Sequence, residues 1–399
     1  MSVEKVSEKK EINLLSAVTL LIIFAIFCYA FYLHVSIVDS EDNRNVTLLF
    51  PDSIVFWSAG RMALEGGASA LFTPEFNLVQ TSFFPGLMAE NKWLSPPVFL
   101  FFLVPFALLS FKSGWLLWSF LCTIGYLRII WKVLPQPYIL LAALMFPPFM
   151  NSLFSGQSGA LITIIFAAAL LNMEKRPLLA GLCVGLLIIK PHFGILIPLM
   201  LLIEKRWTVF AAAAVSVLLL AGISVWCFGT EIWNDFFLNL GAHSDSYLNQ
   251  ESFDLYYLQS AIGIAQFFHF DFSLYWPFQI GWSLAAILVL IAAFRMDNLP
   301  FEVKGCVLVI ATLMVNPYIM YYDFTILAFV LAVLIRQYSW GKPVVNWMNL
   351  AILLSFIALL CMHEVMPRFV KFPAGQTANL LLLAAIFHEA FKGKRAKPG

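Results

Sequence analysis

Apolar runs follow one another along this chain so closely that little room is left for anything else. The first, 12–33, is long enough to cross a hydrocarbon core as a helix. Beyond a polar stretch, further runs come at about 96–111, 114–131, 138–150, 159–172, 178–189, 192–203, 207–228, 272–294, 303–315, 320–338, 347–362 and 375–391. In lipid every backbone N–H and C=O must be satisfied within the chain, so runs of this kind fold as helices. The expected architecture is an all-α polytopic membrane protein. It would form a bundle of about 11–13 transmembrane or re-entrant helices, in a single integral-membrane domain over 1–399. Several runs are shorter than the roughly 17 residues needed to span upright. Those are expected to be broken or re-entrant, which is tolerated only where they line a cavity. No small-residue cleavage site follows 12–33, which is therefore read as an uncleaved first helix.

Composition agrees. The chain is 61% hydrophobic and 12% charged, against about 25% charged in a soluble domain. A net charge of +1 offers no basic surface, and no nucleic-acid partner is expected. The six cysteines all lie in apolar runs, none in a CxxC, and are read as buried, inert thiols. No HExxH, Walker loop or GxGxxG occurs and the six histidines are scattered, so no cofactor and no protein-built zinc site is expected. Asp39, Glu41 and Asp42 are read as solvated loop charge, with divalent-metal binding left open.

Lys and Arg placement gives orientation. Lys175-Arg176, Lys205-Arg206, Arg295, Arg336 with Lys342, and the group Lys392, Lys394, Arg395 and Lys397 fall on one side, the cytoplasm. Gly156-Gln157, Lys190-Pro191-His192, 229–271, Asn316-Pro317-Tyr318 and 363–372 then face out. Counting from an inner N-terminus requires one short segment to enter and leave on the same side. The candidates are 96–111 and 138–150, and Arg128 and Lys132 favour the former.

Polar residues set among apolar runs thus gather on the outer side, where ionisable groups at membrane depth are functional candidates by default. Asp52 stands in the polar stretch 34–95, just ahead of 54–64, a short interfacial helix that Gly66-Gly67 would end. Arg61 lies in the same helix. Gln157 lies in Ser155-Gly156-Gln157-Ser158-Gly159, Lys190 and His192 flank Pro191, and Asp323 ends Tyr318-Ile319-Met320-Tyr321-Tyr322-Asp323. Bland alternatives stand beside each: an interfacial lysine that snorkels, a helix-start carboxylate, a glutamine at a helix break, a packing histidine.

Asp52 with Phe56-Trp57-Ser58-Ala59-Gly60 resembles the Asp…aromatic-aromatic-x-Ala-Gly signature of bacterial integral-membrane glycosyltransferases of family 87, in the GT-C superfamily. Ser95-Pro96-Pro97 with Pro105-Phe106-Ala107 resembles that family's Tyr-Pro-Pro…Pro-Leu-Ala stretch, with Ser95 in place of the usual Tyr. Gly156-Gln157-Ser158-Gly159 resembles its Gly-Gln-x-Gly loop, and Asn316-Pro317-Tyr318 with Tyr322-Asp323 its Pro-Tyr…Tyr-Asp element. The likeness runs over about 48–330.

The resemblance implies a GT-C bundle in a bacterial inner membrane, with outer loops 34–95 and 229–271 contributing to a periplasmic active-site face. It implies transfer of a sugar, typically mannose, from a polyprenyl-phosphate donor to a glycan or glycolipid acceptor. Inversion is implied too, with Asp52 as general base. The chemistry of the residues adds Lys190, and more weakly Arg61, His192, Tyr318 and Tyr322, for the donor phosphate, and Gln157 and Asp323 for sugar hydroxyls. The rival readings are a transporter or flippase, which calls for inverted repeats absent from this sequence, and a non-catalytic assembly subunit.

Overall fold

The computed structural model describes residues 51–84, 92–249, 258–339, 346–360 and 372–395. The run at 12–33, the carboxylates Asp39, Glu41 and Asp42, and Lys342, Lys397 and most of the 363–372 turn lie outside them. Among the described residues regular structure is helical, with no β-strand and one isolated bridge, Leu258 to Met320. The expected all-α class holds.

In chain order the α-helices are α1 (Pro51–Leu64), α2 (Glu75–Phe83), α3 (Leu100–Ala107), α4 (Phe111–Val133), α5 (Pro137–Leu144) and α6 (Pro147–Ser155). There follow α7 (Gly159–Asn172), α8 (Pro177–Leu186), α9 (Ile197–Ile203), α10 (Trp207–Phe228), α11 (Glu231–Asn249) and α12 (Ala261–Phe267). The last are α13 (Tyr275–Phe294), α14 (Phe301–Val315), α15 (Leu327–Leu334), α16 (Trp347–Leu360) and α17 (Ala374–Arg395).

Four described helical stretches are long and apolar enough to cross a membrane: Phe111–Val133, Trp207–Phe228, Phe272–Phe294 and Tyr321–Ser339. Shorter apolar helices, such as Pro97–Ala107, Pro177–Ile189 and Pro191–Ile203, lie between them. The protein is a multi-pass membrane protein. α10 leaves Val215, Leu218, Leu219 and Trp226 exposed, and α13 leaves Ile280, Leu284 and Leu288 exposed. Such stripes are covered by lipid tails. The centre of the bundle is α14 and α15, whose residues from Cys306 to Leu313 and from Leu327 to Leu334 are all buried.

Prolines set the helix starts. Pro137, Pro147 and Pro177 open α5, α6 and α8, where a missing N–H costs nothing and φ is already helical. Pro147-Pro148 also divide what reads as one apolar run at 138–150 into two helices bent by 56°. Ser110 caps α4 by accepting the Ser113 N–H at 3.4 Å.

The turns sort to two ends. At one, Arg206 pairs with Glu174 at 3.6 Å, Lys304 with Glu204 at 3.7 Å, and Arg336 with Glu302 at 3.6 Å. Arg336 also reaches the Val133 carbonyl at the end of α4, at 3.5 Å. These basic turns are the ones expected to share a side. The far ends of the same helices carry Gln157, Lys190 and Asn316–Asp323.

This sorting resolves the odd segment. The α5–α6 pair starts beside Val133, at the basic end, and finishes at Ser155, at the other, so it is a broken crossing. By contrast the stretch 97–107 keeps both its ends at the far side. Phe101 stacks 5.3 Å from Phe228 at the end of α10, and a Cβ on Gly114 would lie 2.5 Å from the Phe106 carbonyl oxygen at the start of α4. Its short, proline-bearing sequence enters and leaves on one side. Among the described thiols, Cys122 and Cys306 are buried as expected, whereas Cys183 is half-buried and Cys227 is exposed on α10; Cys28 and Cys361 lie outside the described residues.

Candidate active site

Asp52 is not on a loop. Pro51 starts α1, and Asp52 sits half-buried in its first turn, where the helix dipole favours a negative charge. The helix starts three residues before the expected interfacial one and packs inside the protein rather than along a lipid surface. Ile54, Ser58 and Ala59 are completely buried. Phe56 and Trp57 set its position: Phe56 meets Phe99 edge-on at 5.1 Å, and Trp57 donates Nε1–H to the Leu109 carbonyl at 3.1 Å. Gly60 allows the close approach of α3, since a Cβ there would lie 2.7 Å from that of Ala107.

The start of α1 meets the Gln157 loop. Ser53 Oγ donates to the Ser155 carbonyl at 2.7 Å. Gly156 ends α6 at φ +75°, a left-handed turn that glycine adopts without strain, and a Cβ there would collide with the Ser53 side chain. Gln157 is 7% exposed, and its Oε1 accepts the Ser158 N–H at 3.3 Å. Its carbonyl accepts the Ser152 hydroxyl at 3.1 Å.

The Gln157 loop in turn meets the segment carrying Asp323. A Cβ on Gly159 would strike the Tyr322 carbonyl oxygen, so the two backbones touch. Asn151 Nδ2 donates to the Tyr321 hydroxyl at 2.7 Å. Gln259 N–H donates to the Ile319 carbonyl at 2.8 Å, tying the 229–271 stretch to the same segment. The 34–95 and 229–271 stretches also meet each other, Phe72 against Phe236 with ring centroids 6.2 Å apart.

Lys190 closes the circuit. Pro191 keeps its predecessor out of the helical region, so Lys190 is extended (φ −146°, ψ 74°) and breaks the run after Ile189. Its ammonium donates to Asp323 Oδ1 at 2.5 Å and lies 4.8 Å from the centre of the Tyr322 ring. The second oxygen, Asp323 Oδ2, accepts the Met320 N–H at 3.0 Å. Asp323 is 2% exposed, so both of its oxygens are occupied inside the protein.

Not every expected residue joins this group. Arg61 lies nine residues beyond Asp52 on α1, about 14 Å along the axis. There it pairs with Glu65 at 2.9 Å and reaches the Ala107 carbonyl at 3.4 Å. Tyr318 turns toward Trp276, at 6.3 Å, and packs on Leu258 and Ile262. His192 stacks beside Phe193 at 5.1 Å, and its Nε2 has no hydrogen-bond partner among the described residues. Sequence reasoning passed over Ser53, Asn151 and Tyr321, the side chains that join the segments. Ser53 and Tyr321 stand inside the quoted motifs, but nothing in the sequence distinguishes a bridging hydroxyl from a solvated one. Among the described residues no three His, Cys, Asp or Glu side chains gather as metal ligands.

Beside Ser53 and Gly156 opens a narrow, half-open apolar groove. Phe56, Trp57, Phe106, Trp115 and Trp118 line its walls. It runs from the polar cluster along α3 and α4.

Comparison with known proteins gives a match to one family. The family model for glycosyltransferase family 87 matches residues 93–317. That stretch contains Gln157, Lys190 and His192 and stops short of Tyr318; Asp52 lies ahead of it. No curated protein and no solved structure matches the chain. Since the match takes in more than half of the sequence, on a membrane bundle whose family-like loops meet at one end, the chain belongs to glycosyltransferase family 87.

Proposed function

We propose that this glycosyltransferase moves a sugar, mannose in the simplest case, from a polyprenyl-phosphate donor to a hydroxyl of a glycan or glycolipid acceptor. The reaction takes place at the outer face of a bacterial inner membrane and inverts the anomeric centre. The observation that carries the reading is the chain of contacts that links the first turn of α1, where Asp52 stands, to the Gln157 loop, from there to the 318–323 segment, and from Asp323 to Lys190. Each brings one part of what such a transfer needs.

An acceptor hydroxyl is a poor nucleophile. Asp52 takes its proton as the oxygen attacks the anomeric carbon, a form of help worth roughly 10²–10⁴-fold. The bond from that carbon to the phosphate oxygen breaks, and its electron pair leaves with the polyprenyl phosphate. No covalent enzyme intermediate forms, which is why a single base suffices. Negative charge grows on the departing phosphate, and the Lys190 ammonium offsets it; a preorganised cation at that point stabilises the transition state. Gln157 is the group assigned to the sugar hydroxyls. The aromatic groove beside Ser53 gives a lipid chain an apolar path that starts at the reacting end.

The test is incubation of the purified protein, in lipid nanodiscs, with radiolabelled polyprenyl-phosphate sugars and candidate acceptors. A glycosylated acceptor whose new bond has the opposite anomeric configuration supports the reading. Transfer from a nucleotide sugar alone, or movement of lipid across the bilayer with no product, overturns it.

A further inference from the structure

Asp323 combines three properties rarely found together in a carboxylate near a sugar site. Its side chain is only 1% exposed, its two oxygens are engaged by different partners, and its backbone is fixed from three directions. The Gln259 N–H holds Ile319, the Asn151 amide holds the Tyr321 hydroxyl, and Gly159 lies against the Tyr322 carbonyl. Asp323 therefore lacks the access needed to grip a substrate hydroxyl. Lys190 is the opposite kind of partner: its side chain is 17% exposed, on a flexible stem, and an ammonium has three donors of which Asp323 uses one.

We propose that Asp323 is a positioning residue that acts on the donor only through Lys190. It fixes the ammonium over the Tyr322 ring, with its remaining N–H donors directed at the leaving phosphate. The inference rests on Lys190 as the phosphate-binding cation and goes beyond it. It removes Asp323 from the sugar site and gives it to the phosphate end. It also explains why a residue 133 positions away matters to Lys190. A free lysine head samples many rotamers. One held by a buried carboxylate and an aromatic face presents its charge at one place and loses less entropy when the phosphate arrives.

The experiment is a double-mutant cycle in nanodiscs, reading KM for donor and for acceptor separately. Asp323→Asn keeps an oxygen for the Met320 N–H, so the turn stays capped while the charge is lost. It is expected to raise the donor KM about tenfold and leave the acceptor KM unchanged. Lys190→Met is expected to raise the donor KM at least as much. The double variant Lys190→Met with Asp323→Asn, which buries no unpaired charge and so guards against misfolding, is expected to be no worse than Lys190→Met alone. Asp323→Glu, which keeps the charge on a longer arm, is expected to fall between wild type and Asp323→Asn. Additive losses in the double variant, or a raised acceptor KM with an unchanged donor KM in Asp323→Asn, overturn the proposal. Absence of transfer by the wild-type protein from every polyprenyl-phosphate sugar would instead overturn the function on which the proposal rests.

Discussion

The Ser53 hydroxyl donates to the carbonyl of Ser155 at 2.7 Å, and this bond fixes the first turn of α1 against the loop that carries Gln157. Asp52 is the neighbouring residue. Its position relative to the other loops therefore depends on a contact 102 residues long in sequence. Ser53→Ala removes one buried hydrogen bond, a stability loss of about 1 kcal/mol. The expected result is a small drop in Tm and a larger, roughly tenfold drop in kcat, because a displacement of order 1 Å at the base is costly. Parallel thermal-shift and turnover measurements check this. A kcat unchanged beside a lowered Tm would remove the contact from the catalytic argument.

Asp52→Asn tests the base. The amide keeps the size and the first-turn position of the carboxylate but cannot take a proton. We expect kcat to fall by about 10²–10⁴, with binding of radiolabelled polyprenyl phosphate to the protein unchanged. Near-normal turnover would show that another group is the base.

The buried pair predicts an asymmetry in stability. Lys190→Met leaves Asp323 enclosed without its cation and is expected to destabilise by on the order of 3–5 kcal/mol. Asp323→Asn leaves the partly exposed Lys190 able to reach water and is expected to cost much less. The double variant should recover most of the loss. Chemical or thermal denaturation of the three variants in one detergent reads this directly, and equal losses in the two single variants would argue against it.

The aromatic groove predicts dependence on donor chain length. Trp118 is buried at its wall. Trp118→Ala opens that wall, and the KM for a long-chain donor is expected to rise about tenfold, the loss of part of a large apolar contact. The KM for a short-chain, water-soluble analogue should stay as it was. A matching rise for both would show that the groove does not hold the chain.

Much of the architecture could be read directly. The runs 159–172, 207–228 and 303–315 appear as α7, α10 and α14 within a few residues. The first two are free of charged residues and the third carries only Lys304 near its start, and a Lys or Arg at or near one end of each marks its side. The 138–150 run was harder. Its apolar character continues across Pro147-Pro148, so hydropathy sees one segment where the backbone makes two. The position of Asp52 was legible only as a motif, since a polar stretch read residue by residue does not reveal that Pro51 starts a buried helix. Arg61 shows the complementary limit. It is the right residue type in the right motif, yet helix rise carries it away from Asp52 and toward the end of α3. The Lys190–Asp323 pairing was out of reach for another reason. Each residue was legible as an ionisable group at membrane depth, but nothing local relates a lysine before one proline to an aspartate so far along the chain.

The Lys304–Glu204 pair described at the basic end has a counterpart at the other. The segment from Lys190 to Glu204 is tied to the segment from Lys304 to Asp323 at both of its extremities, by Lys190–Asp323 above and by Glu204–Lys304 below. Two rods clamped at both tips do not swing apart like the blades of scissors. If the donor is lipid-borne, as proposed, its way in would lie elsewhere, along the aromatic groove next to Ser53. On the proposed function, a donor arriving from there would travel sideways within the leaflet in which it already floats, and only its head group would leave the oil.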